Sequence, residues 1–459
     1  MDSSFEFAEN IVNIRYSDLP AEVVEITKRC ILDTLGVMLA ASSLAPDVKE
    51  IVEMVKEGGG KEESTIIAFG GRVTAWMAAF ANGTMGHPLD YDDTHDPAIV
   101  HPTAHTIPAA FAIAERIGGV NGEDFITAVA LANDMVCRLG LALNKGLFGY
   151  GWLRPVVLGF FSSTAAAGKL LGLNRDQMVN AFGLVLNQVA GSLEPVHTPG
   201  SAFRAIRDAF SAKAGVLSAL MAERGVPGDR NSLQGKYGLF NLYFQGDYDP
   251  TRLTAELGKR FEGVNVSFKP WPACRNAHPF ITATLDIVKG NGIKPEDTEA
   301  ILLAGGSFAQ SLCEPLEERR RPKASIDAKV SLPFIIGAAL ARGKVVLSDF
   351  TPAGLNDPAA LEMAQKVTFR FEERFNTSGI EPALVEIKTK DGGTYSKEVE
   401  FAYGHPQNPM TLDDLIAKFR DCASYSVRPL ANDAVDQVIQ MVTNLEGVED
   451  VGAVVRLLG

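Results

Sequence analysis

Long, purely apolar runs are missing from this sequence. One apolar stretch, residues 155–168, is interrupted by Gly and Ser and falls short of the roughly 20 residues that a membrane-crossing helix needs. Cysteine is sparse. Its five residues form no Cys-x-x-Cys pair, and an odd number argues against both a disulfide framework and a zinc ribbon. The first residues do not resemble a secretory signal or an Arg-rich transit peptide either, because Asp2, Glu6 and Glu9 stand where a basic and then apolar leader would be. The expected setting is a reducing one, most simply cytoplasmic. Positive charge is also in deficit, with 43 Lys and Arg against 56 Asp and Glu, a net −13 spread along the chain. Nucleic acid and anionic membrane both require a basic surface, so neither is expected as a partner. Where basic groups do cluster in so acidic a chain, an anionic ligand is a natural reason.

What remains is an ordinary globular balance, 46% hydrophobic and 22% charged. At 459 residues the chain exceeds what one hydrophobic core usually serves, so two domains are expected. Up to about residue 265 the pattern is one of successive helices. Ser17-Asp18-Leu19-Pro20 has the cap-then-proline form of a helix start, after which Val24, Ile31, Leu35, Met38 and Leu39 share one face. Asn121 and Asn174 open two further apolar runs, and the Ala-rich stretches 163–168 and 209–222 suit closely packed helices. After 265 the texture changes. Residues 300–303 and 366–371 read as strands, and 384–390 with 394–401 as a β-hairpin about Asp391-Gly392-Gly393. Helices are expected at about 280–290, 328–342 and 357–365, and amphipathic ones at 412–419 and 434–445. The expected fold is mainly α: a smaller α+β module inserted into a helical domain to which the tail returns, with a ligand cleft between the two.

The densest polar segment is His87-Pro88-Leu89-Asp90-Tyr91-Asp92-Asp93-Thr94-His95-Asp96, followed by His101-Pro102-Thr103-Ala104-His105. Four of the seven histidines and four aspartates fall within nineteen positions there, flanked by apolar helices. A neighbouring carboxylate gives a histidine a proton affinity suited to acid/base work near neutral pH. Two other roles fit the same residues: a metal site using the i, i+4 spacing of His101 and His105, and a solvated turn with Asx-type caps. Pro102 and Pro108 weigh against the metal, since they place His101 ahead of the first helical turn. A second cluster, Lys269-Pro270-Trp271-Pro272-Ala273-Cys274-Arg275-Asn276-Ala277-His278-Pro279, offers cationic donors for carboxylate oxygens on a proline-stiffened segment. Its plainer role is a rigid linker whose charges face water, with Cys274 better suited to a buried turn than to nucleophilic attack. A third, Gly200 to Asp208, sets Arg204 and Arg207 on one helical face, able to clamp a carboxylate or simply to pair with Asp208 and surface acids.

In this order the segments resemble the MmgE/PrpD family, which contains 2-methylcitrate dehydratase, cis-aconitate decarboxylase and iminodisuccinate epimerase. Ala79-Phe80-Ala81-Asn82-Gly83-Thr84, with the acidic cluster through His101-Pro102, is similar to the family's first signature, and the segment from Lys269 to His278 to its second. Gly404-His405-Pro406-Gln407-Asn408-Pro409 resembles its late turn. The resemblance covers nearly the whole chain. It implies a large all-helical domain from residues 1–267 and 403–459, a smaller α+β domain at 268–402, a homodimer, and neither metal nor organic cofactor. It also implies that Asp90, Thr94, His101, Lys269 and His278 line the active site. Family substrates are small di- or tricarboxylates, and the step is proton movement next to a carboxylate. On that basis His101 moves the proton with Asp90 fixing its orientation, while Lys269, Arg275, Thr94, Arg204 and Arg207 contact the anionic substrate. His278 is then a second acid/base or a donor to the developing charge. His95 and His105 fall to supporting roles.

The chain also departs from the family. Where the family has a His followed by small hydroxyl residues, this chain has Leu153, which cannot move a proton. A segment like K-x-L-H is matched by Arg204 and Arg207, which keep the charge but, with pKa values above about 12, are poor proton carriers. A cofactor-independent lyase acting on a related small polycarboxylate is therefore expected, rather than dehydration of 2-methylcitrate or decarboxylation of cis-aconitate. The alternatives are an epimerase or double-bond isomerase of a carboxylate, and a carboxylate-binding homologue that has lost turnover.

Overall fold

The computed structural model describes residues 1–146, 149–198, 201–377 and 379–459. With 57% helix and two small sheets, the fold is mainly α, as expected. The chain divides into two compact units. One comprises Met1–Pro88, Asp92–Val266 and Thr411–Gly459, the other Leu89–Tyr91 and Ser267–Met410.

In the first unit the helix Ala21–Leu44 begins directly after Pro20, as its sequence predicts. Ile31, Leu35, Met38 and Leu39 are fully buried, and so are Thr34 and Val37 on other faces. From Cys30 to Ser42 the helix is thus enclosed all round, which is why its hydrophobic pattern there is broader than a single stripe. Helix Leu412–Ser424 packs on it, and Lys418 reaches Asp33 at 2.6 Å to form a buried ion pair. Asn121 caps the helix Gly122–Leu141 by accepting the Asp124 N–H at 2.8 Å, and Asn174 forms a capping box with Gln177 at the start of Arg175–Leu186. These side chains satisfy backbone donors that the first helical turn leaves open. The Ala-rich helix Asp208–Glu223 packs closely against Arg154–Leu170 and Ala75–Gly83. No single helix among the described residues is long and apolar enough to cross a membrane.

The second unit is built on four strands, β1 (Thr298–Gly305), β2 (Val367–Phe371), β3 (Ala383–Thr389) and β4 (Thr394–Val399), in the order β2-β1-β3-β4. β1 runs parallel to β2 and antiparallel to β3, and β3–β4 is the hairpin expected about Gly392, whose φ of +91° suits glycine. Ala383, Val385 and Ile387 alternate inward along β3 and share a core with the helices His278–Asn291 and Leu332–Arg342. The helix expected at 328–342 starts only at Leu332. Pro333 has no N–H to give to a preceding turn, so it sits in the first turn, while Ser325–Ala328 makes a separate short helix.

Candidate active site

Two features gather the acidic segment in the first unit. The first is Gly86, where a Cβ would stand 2.3 Å from the carbonyl oxygen of Ala104, so only glycine permits the approach. The second is a bridge between His95 and Val100, which closes the loop ahead of the helix Thr103–Ile117. His101 therefore precedes that helix, as its neighbouring prolines predict.

His101 Nδ1 lies 3.0 Å from Asp92 Oδ2 and 3.0 Å from the Asp93 carbonyl oxygen. Both partners only accept, so Nδ1 carries the proton and the neutral ring keeps its lone pair on Nε2. Nothing among the described residues hydrogen-bonds that Nε2, and the side chain is 15% exposed while Asp92 is fully buried. His87 shares the same carboxylate, with Nδ1 2.9 and 3.0 Å from its two oxygens, and the two imidazole rings stand 4.4 Å apart. Burial lowers the pKa of His87, the pull of Asp92 being opposed by Arg207 and His101. The expected carboxylate partner of His101 was Asp90; the structure gives that position to Asp92.

Beneath this pair Asp93 is fully buried and accepts the Thr103 hydroxyl at 2.5 Å. Burial raises its pKa to about 7, with Asp92 and Asp33 adding to the rise against the Thr103 hydrogen bond. Arg207 is buried, with Nη2 2.9 Å from His87 Nε2 and Nε 3.4 Å from Asp208 Oδ2. His105 is turned inward between Asp208, at 3.4 Å, and Ser162, at 2.7 Å, so the i, i+4 metal pair with His101 is not formed. The donor atoms of His87, Asp92 and His101 do lie within 4.8 Å of one another. His87 Nδ1 is committed to Asp92 and His101 Nδ1 to the Asp93 carbonyl, so these two nitrogens are not open ligands. Thr94 is buried and donates to Asp96 at 2.7 Å. His95 accepts the Ala98 N–H at 3.1 Å, a structural task. Arg204 lies half-buried on the turn Phe203–Ile206, and Gly200 falls outside the described residues. Leu153 is buried at the start of Arg154–Leu170.

In the second unit Lys269 is fully buried, with Nζ 2.5 Å from Asp90 Oδ1 and 3.2 Å from the Asp90 carbonyl oxygen. Asp90 has φ +51°, a left-handed conformation that Asp tolerates better than most residues. Arg275 is buried and donates to Ser267 Oγ at 3.0 Å. His278 is fully buried at the head of its helix, and its Nε2 donates to the Ala273 carbonyl at 3.1 Å. Burial, then the charges of Arg275 and Lys269, push its pKa well below the usual histidine value. A neutral ring whose one N–H is already committed cannot also donate to a developing charge, so that expected role is withdrawn; Nδ1 remains as an acceptor. Lys329, which no motif singled out, is buried too. Its carbonyl accepts the Cys274 N–H at 2.9 Å, and burial lowers its pKa to about 8, Asp90 raising it and Lys269 lowering it.

The model of the MmgE/PrpD N-terminal domain matches residues 6–251, and that of the MmgE/PrpD C-terminal domain residues 271–445. The chain belongs to the MmgE/PrpD family. Its relatives include the cis-aconitate decarboxylase-like protein oryM of Aspergillus oryzae, 27% identical across 99% of this chain and 96% of that one. The cis-aconitate decarboxylase of Homo sapiens is 27% identical across 98% and 93%. The 2-methylcitrate dehydratase of Salmonella typhimurium is 23% identical across 85% and 84%. These relatives are lyases by name, and the chain is an MmgE/PrpD-type enzyme. Sequence alone assigns no role to His87 or Asp92, though both lie within the family signature. The only signal for them was the alternation of His and Asp itself, which does not say which carboxylate meets which ring.

Proposed function

We propose that this MmgE/PrpD enzyme is a lyase for a small di- or tricarboxylate, and that His101 Nε2 removes or returns a proton at a carbon next to a carboxylate. The observation that carries this is the pair of acceptors at His101 Nδ1, which leaves a lone pair on the other nitrogen. As that nitrogen takes a proton the ring becomes an imidazolium, and buried Asp92 stabilises it. Lys269 and Arg275 are assigned to the substrate carboxylates on their charge and on the family motif, with Asp90 holding Lys269 in place. Arg204 is a further contact for the anion, Thr94 acts through Asp96, and His278 serves as an acceptor. The names of the relatives support a tricarboxylate-like substrate. Loss of the family histidine at Leu153 supports a reaction other than theirs. Following the family, we assign no metal or organic cofactor. We equate the first unit with the large helical domain and the second with the inserted α+β domain, and propose a cytoplasmic homodimer.

Incubation of the protein with a panel of di- and tricarboxylates in deuterated water, followed by mass spectrometry, tests the reading. A lyase changes a substrate by the mass of water or carbon dioxide, and His101→Ala abolishes that change. Deuterium wash-in without either loss assigns an isomerase or epimerase instead. Thermal stabilisation by a carboxylate that is never altered assigns a binding homologue.

A further inference from the structure

Arg207 stands where a substrate clamp was expected, yet its guanidinium is turned into the protein. It is 6% exposed, with Nη2 2.9 Å from His87 Nε2 and Nε 3.4 Å from Asp208. A guanidinium has five N–H donors and no acceptor, and it stays protonated throughout the physiological range. The nitrogen opposite it must therefore offer a lone pair. A second proton on His87 would aim an N–H at Arg207 across 2.9 Å and set two positive charges together in a buried site. The single proton of His87 must then be on Nδ1, where it is given to Asp92. Asp92 thus accepts from His87 and lies 3.0 Å from His101 Nδ1, and the two imidazoles are not equivalent. His87 is closed to a second proton, whereas His101 Nε2 meets no hydrogen-bond donor among the described residues.

We propose that Arg207 is a positioning residue that denies His87 a second proton and so keeps the charge of Asp92 for the imidazolium formed at His101. The proposal deepens the role given to His101 above and rests on it. Among the described residues, the charged and titratable groups that act on His87 include Asp92, Arg207, His101 and Asp208. Asp208 anchors the guanidinium from the interior, itself backed by His105 at 3.4 Å, with Ser162 2.7 Å beyond. The lowered pKa of His87, from burial first and then from Arg207 and His101 against Asp92, has the matching direction. Without Arg207 two imidazoles would compete for one carboxylate. A proton settling on His87 would neutralise Asp92 and leave His101 without a counter-charge.

Nitrogen NMR of the full-length protein labelled with 15N-histidine reads this directly, with His87 assigned by its loss in His87→Gln. In the wild type His87 should stay singly protonated, on Nδ1, from about pH 8 to about pH 6. In Arg207→Met it should gain a second proton within that window, and Arg207→Lys, which restores a donor, should suppress the change. On a carboxylate that is turned over, Arg207→Met should lose about tenfold in kcat near pH 6.5 with KM within about threefold, and Arg207→Lys should recover most of the loss. Titration of His87 in the wild type overturns the proposal, and that measurement is decisive even if neither variant folds. So does an unchanged His87 in an Arg207→Met protein with native circular dichroism. The NMR arm needs no turnover, so failure to find any substrate counts against the lyase and leaves this inference to be decided separately.

Discussion

Asp92→Asn keeps the shape of the shared side chain while removing its charge and half of its accepting capacity. In the native arrangement His87 donates its Nδ1–H to this carboxylate at 2.9 Å, and His101 Nδ1, hydrogen-bonded to the Asp93 carbonyl, lies 3.0 Å from it. An Asn side chain offers one oxygen and one NH2 group, so one imidazole keeps an acceptor and the other meets a donor. His87 cannot change tautomer while Arg207 occupies its Nε2, so the mismatch falls on His101. Unit charges about 3 Å apart interact by roughly 5 kcal/mol at an effective dielectric constant of about 20. Most of that stabilisation is absent while His101 is neutral and present once it holds a proton, so its loss acts on the transition state. We expect kcat to fall by about 10²–10⁴, roughly 3–5 kcal/mol, with KM within about threefold. Steady-state kinetics on a substrate identified from the carboxylate panel, with circular dichroism as a control for folding, measures both. A folded variant within about threefold of wild-type kcat would refute the Asp92–His101 pair as the proton-transfer unit.

Lys269→Met removes one partner of a buried ion pair and should destabilise the protein by about 3 kcal/mol in urea unfolding. An unchanged midpoint would show that Asp90 is satisfied without it. Asp93 links stability to pH. Burial raises its pKa from 3.8 to about 7, so the folded chain keeps a proton that the unfolded chain has released. Its contribution to stability therefore declines as pH rises from about 4 to about 7 and is lost above that, by about 4 kcal/mol at most. Asp93→Asn removes the titration, so thermal melts should show its stability relative to wild type climbing from about pH 5 to about pH 7.5. Parallel pH curves would contradict the buried, raised carboxyl.

The legible parts of the fold were those written in local chemistry. Pro20, Asn121 and Asn174 mark helix starts because a missing N–H or a capping oxygen acts within one turn. The Asp391-Gly392-Gly393 turn sets its hairpin for the same reason. The start of Leu332–Arg342 was misplaced because hydrophobic periodicity ran on through residues that Pro333 separates. At the site, His101 and Lys269 stood out by motif, but their partners did not. Asp90, with φ +51°, turns the chain so that its own carboxylate meets Lys269 while Asp92, two positions on, meets both imidazoles. Spacing along the chain cannot separate two aspartates so placed. Arg207 reaches His87 across 120 positions, and the helical spacing that paired it with Arg204 holds no trace of that contact. Nothing in the local sequence of Lys329 marks it as a buried lysine.

The central claim is that His101 moves the proton. Solvent deuterium incorporation at the carbon next to the carboxylate, followed in wild type and His101→Asn on the same substrate, tests it most directly. The wild type should place a solvent deuteron in substrate or product. The variant should bind the carboxylate with an affinity within about threefold and incorporate none above the uncatalysed rate. Equal incorporation by the two proteins would contradict the account.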